Sequence, residues 1–140
     1  MTSEAPLLLD TCAAIWFADN QRMSTPAVDA MDRAFAVNNP VFVSPISAWE
    51  IGILCARGRI RFPVPPQSWF QRLRTTRGMA LADLSPEILI ASSFLPGQAP
   101  RDPADRILAA TAREYGYRLV TRDRPLLDYA EQGHIQALIC

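Results

Sequence analysis

The feature that most constrains the fold of this chain is the repeated alternation of short apolar runs with longer segments of helical periodicity. The runs lie at 6–10, 40–44, 79–85, 117–123 and 135–140. Short apolar strands that alternate with helices are typical of an α/β domain whose parallel sheet is covered on both faces. The sequence therefore predicts a three-layer α/β/α sandwich with a mostly parallel sheet, formed by residues 1–140 as a single domain.

Proline marks the expected start of several helices. Ser, Thr or Asp caps a helix well, and proline fits its first position. Such pairs occur at Thr25-Pro26, Ser44-Pro45, Ser85-Pro86 and Asp102-Pro103. Ser47 is an alternative start for the helix after the second strand, and a further helix is predicted at 68–78. The helix that begins at Asp102-Pro103 is predicted to end at Gly116.

Four acidic side chains are expected at one end of this sheet. Asp10 ends the first strand, and Asp123 follows the strand that contains RLVT. Glu50 and Asp105 lie in the first turns of helices that start beyond strand ends. Because ligands bind beyond the carboxyl ends of parallel strands, this edge is the expected site.

Each acid also has a purely structural interpretation. Glu50 completes a capping box with Ser47, and Asp102 is a good N-cap with Asp105 at the third helical position. A cap contributes about 1 kcal/mol, whereas two carboxylates about 6 Å apart repel by about 3 kcal/mol at an effective dielectric constant of about 20. Several such pairs favour a bound cation, and oxygen ligands favour Mg²⁺ or Mn²⁺. We therefore predict that Asp105 is a ligand and that Asp102 is mainly a cap.

The basic residues are all arginines, and they are unevenly distributed. No acid occurs between Ile51 and Ala82, where the chain has six arginines. Arginines beside aromatic rings suit single-stranded nucleic acid, and the alternative is a solvated surface whose aromatic residues face the core. The aromatic residues of this segment are Phe62, Trp69 and Phe70, and the arginines predicted to bind RNA are Arg57, Arg59, Arg61, Arg72 and Arg74.

The remaining composition excludes several kinds of protein. Three widely spaced cysteines do not suggest a disulfide framework, and one histidine excludes a His-rich zinc site. The N-terminus has no basic leader, and no run of 18 apolar residues predicts a membrane span. We therefore expect a cytoplasmic protein.

Four short motifs resemble those of a known family. LLLDT (7–11), SAWEI (47–51), DPADRILAATA (102–112) and LVTRD (119–123) are similar to the signatures of PIN domains. They most resemble the VapC-type ribonuclease toxins of bacterial toxin–antitoxin modules, over essentially the whole chain. One departure is Ala99-Pro100-Arg101, where many relatives carry a histidine just before the DP pair.

The resemblance implies a PIN-like fold and an endoribonuclease that uses Mg²⁺ or Mn²⁺. Asp10, Glu50 and Asp105 match the three main acidic positions of the family, and Asp123 matches a more variable fourth. Thr11 and Thr121 match hydroxyl positions that support the carboxylates or a metal-bound water. A cognate VapB-like antitoxin, an RNA substrate and a homodimer are also implied.

Other protein classes could also account for acids at a sheet edge. Receiver domains and haloacid-dehalogenase-like phosphatases also gather acids at a sheet edge, but both need a lysine, and the chain has none. A PIN-fold module that binds RNA or a partner without cutting it is an alternative, although such modules typically lose acids. A DNA nuclease of the same fold is another, because carboxylates and Mg²⁺ do not distinguish the two sugars.

Overall fold

The computed structural model describes residues 4–140 and has one five-stranded sheet. The strands are β1 (Leu7–Leu9), β2 (Val41–Val43), β3 (Met79–Leu81), β4 (Arg118–Thr121) and β5 (Gln136–Ile139). The helices are α1 (Thr11–Ala18), α2 (Thr25–Ala36), α3 (Pro45–Ala56), α4 (Pro66–Thr75), α5 (Pro86–Ala91), α6 (Pro103–Tyr115) and α7 (Arg124–Glu131). All neighbouring strands are parallel, which confirms the predicted α/β class.

The two faces of the sheet bury different side chains of the same strand. Leu7 and Leu9 of β1 belong to an apolar cluster that includes residues of α1, α2 and α4. Leu8 belongs to the opposite cluster, with Leu108 of α6 and Leu126 of α7. Because successive side chains of a strand point to opposite faces, this division requires helices on both sides. The result is the predicted three-layer sandwich.

The strand order creates a crevice next to β1. The order is β3-β2-β1-β4-β5, so the chain moves outward from β1 to β3 and then returns to place β4 on the other side of β1. A reversal of this kind leaves a crevice at the carboxyl ends of the two central strands. Asp10 follows β1 and Asp123 follows β4 closely, so both residues lie at this crevice.

The predicted helix starts at Ser85-Pro86 and Asp102-Pro103 and the predicted end at Gly116 are confirmed, whereas other boundaries differ. Helix α2 is capped by Ser24, whose hydroxyl accepts from the Ala27 N–H, and not by Thr25. Helix α3 is capped by Ser44, whose side chain accepts from the Ile46 N–H, so Ser47 is not its start. Helix α4 begins at Pro66 and ends at Thr75 instead of covering 68–78. The sequence PP at 65–66 places a proline at the first helical position, which is favourable because proline has no N–H to satisfy there.

None of the helices in residues 4–140 is long and apolar enough to cross a membrane.

Candidate active site

Asp10 is held rigidly by two neighbouring elements. Its Oδ1 accepts a hydrogen bond from the Ala13 N–H at 2.7 Å and so caps α1. Its Oδ2 accepts from the Thr121 hydroxyl of β4 at 2.6 Å. Asp10 is 6% exposed, and this burial raises the pKa of its carboxyl group above the usual range. The capping interpretation is therefore correct, but it does not remove Asp10 from the crevice.

Glu50 is not part of a capping box. Because α3 starts at Pro45, Ser47 and Glu50 are one turn apart within the helix and share the face that meets α1. The Thr11 hydroxyl donates to Glu50 Oε1 and also lies 2.9 Å from the Ser47 hydroxyl. Burial, followed by the charges of neighbouring acids, raises the pKa of Glu50 despite this hydrogen bond. The side chain is thus oriented by α1 and not by its own helix start.

Asp102 and Asp105 have different environments, as predicted. Asp102 is exposed and its Oδ1 accepts from the Asp105 N–H at 2.9 Å, which caps α6. Within the described part of the chain, no donor forms a hydrogen bond with the Asp105 carboxylate. Burial and then the charges of Asp123, Asp102, Glu50 and Asp10 raise the pKa of Asp105 to about 8. Asp105 therefore carries the largest uncompensated electrostatic cost at this edge.

Thr121 connects the fourth acid to the first. Its hydroxyl donates to Asp10 and accepts from the Asp123 N–H at 3.0 Å. The Asp123 carboxylate in turn accepts from the Leu126 N–H at 3.2 Å and caps α7. Asp123 thus has a capping role and also acts electrostatically on the other acids, since its charge contributes to the raised pKa values of Asp10, Glu50 and Asp105.

These four side chains, here called the acid cluster, come from four separate elements and interact electrostatically at one edge of the sheet. The atoms that they offer to a metal ion are carboxylate oxygens. No three His, Cys, Asp or Glu side chains within residues 4–140 are close enough to form a complete metal cage. Such a cage is not required by Mg²⁺, which keeps several waters and usually takes one or two carboxylates.

The predicted RNA-binding arginines are not part of the acid cluster. Arg72 and Arg74 lie in the last turn of α4, whose C-terminus leads directly to the start of β3 at the opposite edge of the sheet. Residues two apart on a helix point to opposite sides. Accordingly, Arg72 lines a cavity with Phe17, whereas Arg74 lines an apolar groove of about 770 Å³ between α3 and α4.

The other three predicted arginines, Arg57, Arg59 and Arg61, are exposed in the connection after α3. Their side chains follow a helix that runs away from the carboxyl edge, with Arg57 about 10 Å along the axis from Glu50 at 1.5 Å per residue. Binding of RNA by these residues stays a prediction. If it occurs, the RNA must extend well beyond the acid cluster.

The aromatic residues of this segment belong to the core. Trp69 is 7% exposed and Phe70 is 9% exposed, and both pack in the same cluster as β1. Phe62 stacks on Trp69 with ring centroids 4.3 Å apart and an interplanar angle of 6°. Trp69 and Phe70 are therefore not available to stack on bases, and for these two rings the stacking interpretation is wrong.

Sequence reasoning missed two residues at the acid edge. Ser47 supports Thr11, and its position three residues before Glu50 was a usable signal for a shared helix face. Arg122 was overlooked because it lies between two residues already assigned. Its guanidinium carbon is 4.1 Å from the ring centroid of Trp16, and its Nη2 donates to the Cys140 carbonyl oxygen at 2.7 Å.

Comparison with known proteins agrees with this fold. The chain is 37% identical over 121 residues to Ribonuclease VapC22 of Mycobacterium tuberculosis, a match that covers 86% of this chain and 88% of the relative. The structure is similar to that of VapBC2 from Rickettsia felis bound to a promoter DNA fragment, with a TM-score of 0.67 and 13% identity over 95% of this chain and 97% of the other.

A second solved structure, of DNA-bound VapBC from Salmonella typhimurium, has a TM-score of 0.65 and 15% identity over 97% of this chain and 98% of the other. At these identities the two structures establish the fold. The PIN domain family matches residues 7–132, which include all four acids of the cluster. The resemblance seen in the four sequence motifs is therefore confirmed, and the chain belongs to the PIN domain family.

Proposed function

We propose that this protein is a metal-dependent endoribonuclease and the toxin component of a VapBC-like toxin–antitoxin module. The observation that carries the proposal is the 37% identity, over nearly the full length of both chains, to a relative named as a VapC ribonuclease. The acid cluster at the carboxyl edge of the sheet supports a hydrolase of phosphodiester bonds, because such sites suit divalent cations.

The donors of the acid cluster fit Mg²⁺ or Mn²⁺. They are all carboxylate oxygens, with hydroxyl groups of Thr11 and Thr121 as their supports. Asp10, Glu50 and Asp105 have raised pKa values, caused first by burial and then in part by neighbouring acids. A divalent cation would remove that repulsion. We assign Asp10, Glu50 and Asp105 as the acids that would hold it, directly or through its bound waters, with Asp123 as the fourth acid.

The side chains of this protein would prepare the site for that ion. The Thr121 hydroxyl and the Ala13 N–H fix the orientation of Asp10, and the Thr11 hydroxyl fixes that of Glu50. Asp105 is held by its place in the first turn of a helix that Asp102 caps. The bound ion would supply Lewis-acid polarisation of a phosphoryl oxygen and a water of lowered pKa. Carboxylates held in advance need little rearrangement when the ion binds.

We also infer a protein partner similar to the VapB antitoxin, because two solved structures of similar fold are VapBC assemblies. The RNA substrate and a homodimeric state are parts of the same proposal. A cytoplasmic location is consistent with the free thiols of Cys12, Cys55 and Cys140. Expression of the protein with and without a candidate VapB-like antitoxin should show growth arrest only without it, and unchanged growth in both cultures would contradict the toxin role.

The experiment that tests the nuclease is cleavage of labelled total RNA and of matched single-stranded DNA, with Mg²⁺, Mn²⁺ or EDTA. Asp10→Asn is the test variant, since asparagine keeps the N-cap acceptor but removes the charge. Asp32→Asn on the exposed face of α2 is the matched control. We expect metal-dependent RNA products from the wild type and the control and none from Asp10→Asn.

Two results would contradict the proposal. Cleavage of DNA in preference to RNA would make the protein a DNA nuclease of the same fold. A non-catalytic binding module would be favoured if the folded wild type binds RNA without cutting it and if neither the wild type nor Asp10→Asn is toxic.

A further inference from the structure

Arg122 is the cationic side chain that the fold attaches to the rim of the acid cluster. It lies between Thr121, which donates to Asp10, and Asp123, which caps α7. Its positive charge lowers the pKa of Asp10, against the larger effect of burial. The site therefore contains a cation as well as four acids.

The guanidinium is held from two sides. It lies over the ring of Trp16 in α1 at 4.1 Å from the centroid, a cation–π distance. Its Nη2 donates to the Cys140 carbonyl oxygen at 2.7 Å, and the same oxygen accepts from the Ser24 N–H at 2.9 Å. An arginine fixed in this way loses less conformational freedom when it binds a ligand than a mobile surface arginine would.

The acid cluster forms no ion pair with this arginine. In residues 4–140 no Asp or Glu side chain pairs with it, and its one hydrogen bond goes to the main-chain oxygen of Cys140. Other arginines of the chain are used structurally. Arg106 donates to the Ser92 and Pro100 carbonyl oxygens, and Arg124 pairs with carboxylates of its own helix. Arg122 is exposed, and its remaining N–H donors have no hydrogen-bond partner among residues 4–140.

We propose that Arg122 binds the phosphate of the RNA strand that lies against the acid cluster. This inference rests on the proposed ribonuclease function. Four carboxylates repel a polyanion, and one divalent cation offsets only half of their charge. A planar guanidinium can hold two phosphate oxygens at once, and the stacked Trp16 ring keeps its plane fixed. Arg122 would thus attract and orient the strand while the carboxylates hold the metal.

The test compares Arg122→Gln, Arg122→Lys and the matched control Arg124→Gln, which removes an exposed arginine two residues away. Cleavage of a short single-stranded RNA is measured with Mg²⁺ over a salt series, and thermal unfolding is measured with and without Mg²⁺. We expect Arg122→Gln to lower kcat/KM about 10- to 100-fold, the effect of losing a charged hydrogen bond. The log–log dependence of kcat/KM on salt should become less steep by about 0.7, as for one lost phosphate contact.

Arg122→Lys should recover part of kcat/KM, because it keeps the charge but not the planar pair of donors. Stabilisation by Mg²⁺ should be the same in all variants. If Arg122→Gln matches Arg124→Gln in kcat/KM and in salt dependence, the inference is wrong, and Arg122 only ties the last strand to the loop after β4. Loss of Mg²⁺ stabilisation in Arg122→Gln would also overturn it, by showing that the arginine positions the metal ligands. A wild type that cuts no RNA would refute the ribonuclease function itself, and Arg122 would lose its proposed ligand with it.

Discussion

Asp105 gives the sharpest test of the electrostatics of the acid cluster. Its carboxyl group has a pKa of about 8, raised by burial and by four neighbouring acids. A group whose pKa is higher in the folded than in the unfolded state stabilises the fold at low pH and loses that contribution as pH rises through the folded value. The metal-free protein should therefore lose stability between about pH 4 and about pH 8 because of Asp105. Asp105→Asn should remove this loss.

The size of the effect follows from the two pKa values. The pKa of Asp105 is about 8 in the fold, and its ordinary value is 3.8. This difference corresponds to at most about 5–6 kcal/mol of the free energy of unfolding. Asp105 is only partly buried, so solvent and salt screen its interactions and reduce the contribution to about 1–3 kcal/mol. For a chain of this length, the midpoint of thermal unfolding should rise by about 3–9 °C in Asp105→Asn at pH 9.

Thermal and urea unfolding in EDTA at pH 5 and pH 9 measure this difference. The variant should exceed the wild type by about 1–3 kcal/mol at pH 9 and by less at pH 5, where only part of the loss has occurred. Millimolar Mg²⁺ should then stabilise the wild type but not the variant. Asp32→Asn on α2 should follow the wild type throughout. Equal stability of Asp105→Asn and wild type at pH 9 would refute the argument that this carboxylate is destabilised by its neighbours.

Four further substitutions test residues of the site and of the predicted RNA-binding surface. Asp102→Asn should keep most of the activity and cost less than about 0.5 kcal/mol in urea unfolding, because asparagine also caps a helix; inactivity would show that Asp102 belongs with the ligands. Thr121→Val should cost about 1–3 kcal/mol of stability and reduce cleavage, since it removes the donor to Asp10; wild-type cleavage would show that this hydrogen bond does not orient the carboxylate. Arg72→Glu and Arg74→Glu, made singly, should each weaken RNA binding and lower its salt dependence; an unchanged dependence would mean that they are ordinary surface residues.

The sequence predicted the position of the acids because strand ends and helix starts were readable. LLL and RLVT are short apolar runs, and the residues after them lie at the carboxyl edge in a parallel sheet. Asp102-Pro103 marked the start of α6 and therefore the turn in which Asp105 lies. The sequence was sufficient in these cases because each acid lies within a few residues of a recognisable strand end or helix cap.

Contacts between distant parts of the chain were not predictable in the same way. The sequence could not show that Thr11 orients Glu50, 39 residues later, because that contact depends on how α1 packs on α3. It also could not show that Trp69 is buried, since aromatic residues near arginines suit either a core or a nucleic-acid surface. Arg122 becomes informative only when Trp16 is known to lie beneath it.

The raised pKa of Asp105 has one more consequence, which is that protons should be released when a metal binds. Below pH 8 the metal-free protein keeps a proton on this carboxyl group, and a cation can bind it only after displacing that proton. Calorimetric titration with Mg²⁺ at pH 6.5, in two buffers of different ionisation enthalpy, should give apparent enthalpies that differ in proportion to the protons released. The difference should almost vanish at pH 9.5, where the carboxylate is already charged. Binding with equal enthalpy in both buffers at pH 6.5 would mean that Asp105 is ionised before the metal binds. Burial and the neighbouring acids would then not raise its pKa as described.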